Sequence, residues 1–304
     1  MKQSTYNAET GGMAGGSEPA ITDLPEREEG VLPDGNDSSV EGAGGASDAA
    51  VKEEAGRSGT PHFSGLRVGI TGGTSGLGLD LVREMGRRGA AVAFVARTAD
   101  NVARVADTEG AHGIVGDVSL KEDIHPIAMQ ITGELGGLDV LINNASDLGP
   151  VPLALLGDTE CEDLERALAT NVLGPFRLTK ALLGALAGSA REGRGAVVVN
   201  ISSDAAINPY PQWGAYGASK AALHHLTRIW NEELTEEGIE FLSLDPGDMD
   251  TPLHALAVPD ADVATLKQPS QAACEVADAI AAALDRLAAH RSHVRSESAG
   301  AGPV

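Results

Sequence analysis

From residue 65 onward the chain alternates short, uniformly aliphatic runs with longer stretches whose apolar residues recur every three to four positions. The short runs lie at 66–70, 91–95, 113–115, 140–142, 196–201 and 239–244. They lack the polar alternation of a half-exposed strand, so each is expected to be a parallel strand covered on both faces. The longer stretches, at 77–88, 98–107, 120–135, 160–189, 215–236 and 270–289, carry the repeat of helices buried along one side. Regular strand-helix succession demands crossover connections, which are right-handed and lay helices on both faces of one sheet. The pattern predicts an α/β fold, a single doubly wound parallel-sheet domain over 61–290. Gly174 and Pro175 interrupt the fourth helical stretch and predict a kink there.

Both ends depart from this rhythm. In residues 1–60 Gly, Ser, Ala and acidic residues dominate, and Ile21, Leu24, Val31 and Leu32 follow no period. So little apolar surface cannot offset the entropy of ordering, so this segment is expected to be a disordered acidic Gly/Ser-rich tail. Residues 291–304 are expected to be a second flexible tail, in which 292–295 could form a short edge strand.

Composition narrows the function classes. Aromatics are 3% of the chain against 42% hydrophobic residues, so the core must be built from Ala, Val, Leu and Ile, as in a covered parallel sheet. The net charge of −22 repels nucleic acid and anionic lipid, so neither is an expected partner. Two cysteines, Cys161 and Cys274, show no metal-ligand spacing and no disulfide framework. With no apolar run long enough to span a bilayer and no signal-like start, a cytoplasmic location without membrane attachment is expected.

The first aliphatic run leads directly into Thr71-Gly72-Gly73-Thr74-Ser75-Gly76-Leu77-Gly78 and then a helical pattern. Glycines there allow a tight turn, close approach of a pyrophosphate and a helix lying near the sheet, while the helix start offers free N–H groups to phosphate. This TGxxxGxG run resembles the cofactor fingerprint of the single-domain short-chain dehydrogenases/reductases, which implies a Rossmann-like fold. The second strand ends Ala96-Arg97. An acidic residue there would accept from a ribose 2′-hydroxyl, whereas Arg97 can pair with a 2′-phosphate, so NADP(H) is expected over NAD(H).

Further motifs carry the resemblance across 64–290. Asp117 and Val118 resemble the family's adenine-contacting pair, and Asn143-Asn144-Ala145-Ser146 its NNAG motif, with Ser146 in place of the usual glycine. Asp245-Pro246-Gly247-Asp248-Met249-Asp250-Thr251 resembles its PG motif, with Met249 and Thr251 expected to meet the carboxamide and phosphates. Tyr216 and Lys220 form a YxxxK, and positions four apart share one helix face. Ser203 precedes Tyr216 by the family's 13 residues, and Asn171 lies on the preceding helix.

The resemblance implies that Tyr216 is the general acid/base and that Ser203 binds the substrate oxygen. Lys220 would lower the phenol pKa and hold the nicotinamide ribose, and Asn171 would hold a water of the proton relay. Ser202 is the fallback for Ser203. The expected reaction is hydride transfer between a carbonyl and a secondary alcohol. A non-catalytic NADP-binding regulatory or scaffold protein, and a dehydratase or epimerase using the same tyrosine, remain alternatives. Substrate selection is expected from Asp147, Leu148, Asp204, Asn208, Pro209, Tyr210, Trp213, Leu253 and His254, with 252–269 as a mobile lid. The small-molecule substrate and a second copy of the chain are the expected partners, as a homodimer through 160–189 and 215–236 or a homotetramer.

Overall fold

The computed structural model describes residues 63–300, with side chains described to residue 292. The tail expected over 1–60 lies outside the described residues, as do 301–304. Six strands are β1 (Arg67–Thr71), β2 (Ala91–Ala96), β3 (His112–Val115), β4 (Val140–Asn143), β5 (Ala196–Ile201) and β6 (Ile239–Leu244). Between and after them run α1 (Gly76–Arg87), α2 (Ala99–Glu109), α3 (Lys121–Leu135), α4 (Cys161–Leu168), α5 (Gly174–Arg191), α6 (Gly214–Leu234), α7 (Pro252–Ala257) and α8 (Pro269–Gly300). All pairings are parallel, in the order β3-β2-β1-β4-β5-β6. The chain reverses its direction of winding between β1 and β4, which opens a crevice at their carboxyl ends.

Alternation along each strand divides the core in two. Val197 and Val199 of β5 pack with α1 and α8, through residues such as Leu81, Met85, Ala277 and Ile280. Ala196 and Val198 face the opposite side, where Ile127 and Ile131 of α3 and Leu178 and Leu182 of α5 cover the sheet. Residues on both faces of β1, β2, β4 and β5 are buried, which is why those aliphatic runs show no polar alternation; β3, expected to be covered on both faces, lies at the sheet edge and buries only Ile114. Removing one such leucine side chain costs about 2–5 kcal/mol.

At the amino end of the sheet an ionic cluster ties distant segments together. Asp139 is fully buried and accepts from the Arg67 guanidinium at 2.8 and 3.0 Å, from the Arg67 N–H at 2.8 Å and from Arg194 at 3.0 Å. The Ser189 hydroxyl completes its shell. Burial alone would raise the Asp139 pKa, but these donors outweigh it and hold the carboxyl well below the usual range.

Two expectations are corrected. The stretch 160–189 is not one helix kinked at Gly174: a π-helical turn at Ala169–Leu173 separates α4 from α5. Pro175 has no N–H to give to the carbonyl of residue 171, and the helix answers with the wider bond from the Gly174 N–H to the Ala169 carbonyl. Residues 292–295 lie within α8 rather than in an edge strand. A continuing helix satisfies each backbone group locally, and Arg286 of α8 pairs with Glu240 on β6, steering the helix along that side.

Candidate active site

The carboxyl ends of the strands and the segment after β6 enclose a cleft of roughly 910 Å³. The glycine-rich turn forms its floor. Gly72 has φ +73°, and a Cβ there would stand 2.9 Å from the Asn144 amide nitrogen. At Gly78 a Cβ would meet the Gly72 carbonyl at 2.0 Å, so both positions require glycine. The Thr71 hydroxyl accepts from the N–H groups of Asn144 and Ala145 at 3.0 and 3.1 Å, and Asn144 donates back to the Thr71 carbonyl at 2.9 Å. Asn144 therefore fastens the loop after β4 to the glycine turn. No side chain caps α1 at Ser75, leaving its first N–H groups directed to the cleft.

Thr74, Ser75, Gly76, Leu77, Arg97, Asp117, Val118, Ala145, Ser146, Pro246, Gly247, Met249 and Thr251 also line this cleft. Arg97 has no carboxylate partner among the described residues. The Asp117 carboxylate is oriented by Ser119, whose N–H and hydroxyl donate to it at 2.9 and 2.7 Å. Lys267, which the sequence reading did not single out, donates to the Pro246 carbonyl at 2.9 Å. Backbone bonds of 3.0 Å between Asp250 and Lys267 and between Lys267 and Asp248 staple the base of the segment that carries α7 over the cleft.

The reacting end is assembled by α6. Tyr216 and Lys220 share one face of α6, and both are buried. The Lys220 ammonium donates to the Ile201 carbonyl at 2.8 Å and stands 5.4 Å from the Tyr216 ring centre. Burial pushes the Tyr216 phenol up to about 12 and the Lys220 ammonium down to about 8. The hydroxyls of Ser203 and Ser146 line the same cleft as the phenol and oppose the upward push of burial on it, while Ser203 itself donates to Asp204 at 3.2 Å. Ser202 instead extends the β5–β6 ladder, its N–H donating to Leu244 at 2.7 Å. Trp213 packs edge-on against Tyr216 with ring centres 5.6 Å apart.

Asn171 does not line the cleft; its neighbour Thr170 does. Asn171 is fully buried behind the reacting end, at the π-turn. Its amide donates to the Asp147 carbonyl at 2.7 Å and to the Ser219 hydroxyl at 2.8 Å, while its oxygen accepts from the Asp147 N–H at 2.8 Å. Ser219 in turn donates to the Tyr216 carbonyl at 2.6 Å. Asn171 thus locks the loop after β4 to the helix bearing Tyr216. Ser219 was missed because only its spacing of three from Tyr216 marked it.

The family model for short chain dehydrogenases matches residues 67–262. The chain belongs to the short-chain dehydrogenase/reductase family. It is an oxidoreductase of the kind that acts on CH–OH groups, with the sheet order and cleft described above. Among relatives of this dehydrogenase/reductase, an uncharacterised oxidoreductase of Mycobacterium tuberculosis is 33% identical over 233 residues, covering 74% of this chain and 67% of the relative. General stress protein 39 of Bacillus subtilis is 32% identical over 219 residues, covering 69% and 73%. Of solved structures, a short-chain type dehydrogenase/reductase from Mycobacterium marinum aligns with TM-score 0.65 at 30% identity, covering 74% of this chain and 92% of that one. An actinorhodin polyketide ketoreductase solved with NADPH aligns with TM-score 0.63 at 27% identity, covering 71% and 90%.

Proposed function

We propose that this short-chain dehydrogenase/reductase interconverts a carbonyl compound and a secondary alcohol with NADP(H), using Tyr216 as the proton-transfer group. The observation that carries the reading is the buried Lys220 ammonium beneath the Tyr216 ring, at the closed end of a cleft floored by a glycine turn. The Cβ-excluding contacts at Gly72 and Gly78 and the uncapped start of α1 suit a dinucleotide pyrophosphate. Arg97, without a carboxylate partner among the described residues, suits a 2′-phosphate at the other end, which supports NADP(H) over NAD(H). The bound nicotinamide would supply or accept the hydride.

The protein's own groups handle the proton. A phenol held near 12 is protonated at neutral pH and ready to donate to a carbonyl oxygen that gains negative charge. Ser203 would donate a second hydrogen bond to that oxygen. The charged Lys220 eases the return of the proton by favouring the phenolate. The Asn171 carbonyl, deprived of a helical donor by Pro175, would hold the water that connects Lys220 to solvent.

Leu148, Tyr210, Trp213 and Leu253 line the substrate end together with Asp204 and Asp248, while Lys220 is turned inward. This lining supports a mid-sized, partly apolar carbonyl compound without a negative charge. The exposed side chains of Phe176 on α5 and Ile229 on α6, with Leu173 of the π-turn beside them, support pairing with a second copy through these helices. Two free cysteines fit a reducing cytoplasm, and among the described residues no helix is long and apolar enough to cross a membrane. The test is a panel of ketones, aldehydes and secondary alcohols followed by NADPH and NADH absorbance. Turnover of neutral ketones with NADPH is expected; NADPH binding with no turnover on any member would favour a non-catalytic role.

A further inference from the structure

Ser146 stands where the family pattern has glycine, and its side chain is half-buried in the wall of the cleft. Its hydroxyl donates to the Asn171 side-chain oxygen at 3.2 Å. That oxygen also holds the tighter 2.8 Å bond from the Asp147 N–H, and both amide protons of Asn171 are committed elsewhere. Asn171 is therefore fixed with its oxygen toward Ser146, and it retains a partner when Ser146 turns away. The Ser146 hydroxyl and the Tyr216 phenol line the same cleft, and with the serine resting on Asn171 no hydrogen bond joins the two.

We propose that Ser146 is a positioning residue for proton transfer, a hydroxyl rotor that rests on Asn171 and swings to donate to the Tyr216 oxygen when that oxygen loses its proton. The swing exchanges one long bond between neutral groups for one to an anion, which is roughly twice as strong. No atom enters or leaves the protein in the swing: the phenolic proton goes to the substrate oxygen, and the Ser146 proton stays on Ser146 while changing its acceptor. A glycine at 146 has no such donor, so this chain adds a second hydroxyl beside Ser203 at the reacting oxygen. The charged and titratable groups lining this end of the cleft are Lys220 on α6, Asp204 after β5, Asp245 and Asp248 after β6, Asp147 after β4 and His254 on α7. None of them changes in a Ser146 variant.

The proposal rests on Tyr216 being the acid/base group, and the experiment separates the two. The pH dependence of kcat is measured for oxidation of 1-phenylethanol at saturating NADP+ in the full-length wild type, Ser146→Gly, Ser146→Ala, Ser146→Thr and Tyr216→Phe. Ultraviolet phenolate absorbance is titrated in the same set with NADP+ present, using Tyr216→Phe to subtract the other tyrosines. Ser146→Gly restores the family residue, so folding is preserved. Both the acidic limb of kcat and the phenolate titration should move up by about one pH unit in the glycine and alanine variants, as expected for loss of one charge-assisted bond. The threonine variant, which keeps the hydroxyl, should return toward wild type, and KM should change little. If 1-phenylethanol is not oxidised, the absorbance titration decides alone. Unchanged profiles in Ser146→Gly beside an inactive Tyr216→Phe overturn the rotor only; near-normal turnover in Tyr216→Phe overturns the reading of the site and the rotor with it.

Discussion

Pro175 stands four residues after Asn171, where an α-helix would place the N–H that bonds the Asn171 carbonyl. The missing donor accompanies a widening of the helix into a π-turn and leaves that carbonyl without its usual α-helical donor. Pro175→Ala supplies the N–H. Its thermal midpoint should equal or exceed that of the wild type, while kcat should fall about tenfold, at the lower end of acid/base contributions, as the carbonyl is drawn back into the helix. Paired melting and steady-state assays check this, and an unchanged kcat would remove the carbonyl from the proton relay.

Tyr216→Phe keeps the ring and its edge-on contact with Trp213 but removes the hydroxyl proposed to transfer the proton. Loss of a positioned acid/base costs about 10²- to 10⁴-fold in kcat, with NADPH affinity little altered. Steady-state rates and an NADPH titration on both proteins are the measurement.

Arg97→Asp replaces a cation able to pair with a 2′-phosphate by an anion able to accept from a ribose hydroxyl. The ratio of NADPH to NADH affinity should drop by at least tenfold, since a charge-assisted bond is lost and repulsion added. Titration of both dinucleotides decides; an unchanged ratio removes Arg97 as the reader of the phosphate.

Lys220 supplies a pH dependence of its own. Its folded value of about 8 lies below that of a free lysine, so the side chain is charged below that pH and neutral above it. Tyr216, held near 12, stays protonated across the same range. For carbonyl reduction, kcat/KM for NADPH reports ionisation of the free enzyme and should decline as pH rises through about 8. A flat profile from pH 6 to 10 would show that the charge on Lys220 is not needed.

Asp139 makes the complementary case for stability. Its folded pKa lies below the free value near ~3.9, so its contribution is present above that pH and is lost as pH falls toward the folded value. Asp139→Ala leaves Arg67 and Arg194 without their shared anion and should cost about 3–5 kcal/mol at pH 7. Urea melts of both proteins should differ most at neutral pH, and the difference should begin to shrink as pH falls through about 4 and go on shrinking toward the folded pKa. Equal midpoints at pH 7 would sink the assignment.

The inner strands were legible because burial on both faces writes an unbroken aliphatic run, whereas β3 at the edge is exposed except at Ile114; the glycine turn was legible because its close contacts exclude any other residue. The residues expected at the nucleotide site meet in one cleft for that reason. The π-turn was not legible: periodicity cannot separate a wide turn from a kink, and the sequence showed the proline without showing which carbonyl it would strand. Long-range pairing was equally hidden. Arg67 and Asp139 are 72 positions apart. Asn143 and Asn200, embedded in two aliphatic runs, bond each other across β4 and β5 at 2.8 Å, a match that neither run reveals alone. The last turns of α8 were misread because a helix with few apolar residues beyond Leu287 leaves little periodic trace.

The Asp139 cluster and the Tyr216 cleft sit at opposite ends of the same strands, so the molecule keeps its anchorage and its reactivity in separate places. An injury at one end need not be felt as an injury at the other. Variation around Arg67, Ser189 and Arg194 can set how much heat or acid the protein survives while leaving its reactive cleft untouched, and variation around Ser146, Tyr210 and Trp213 can reshape that cleft without loosening the frame. A scaffold divided in this way can take on new substrates one mouth residue at a time.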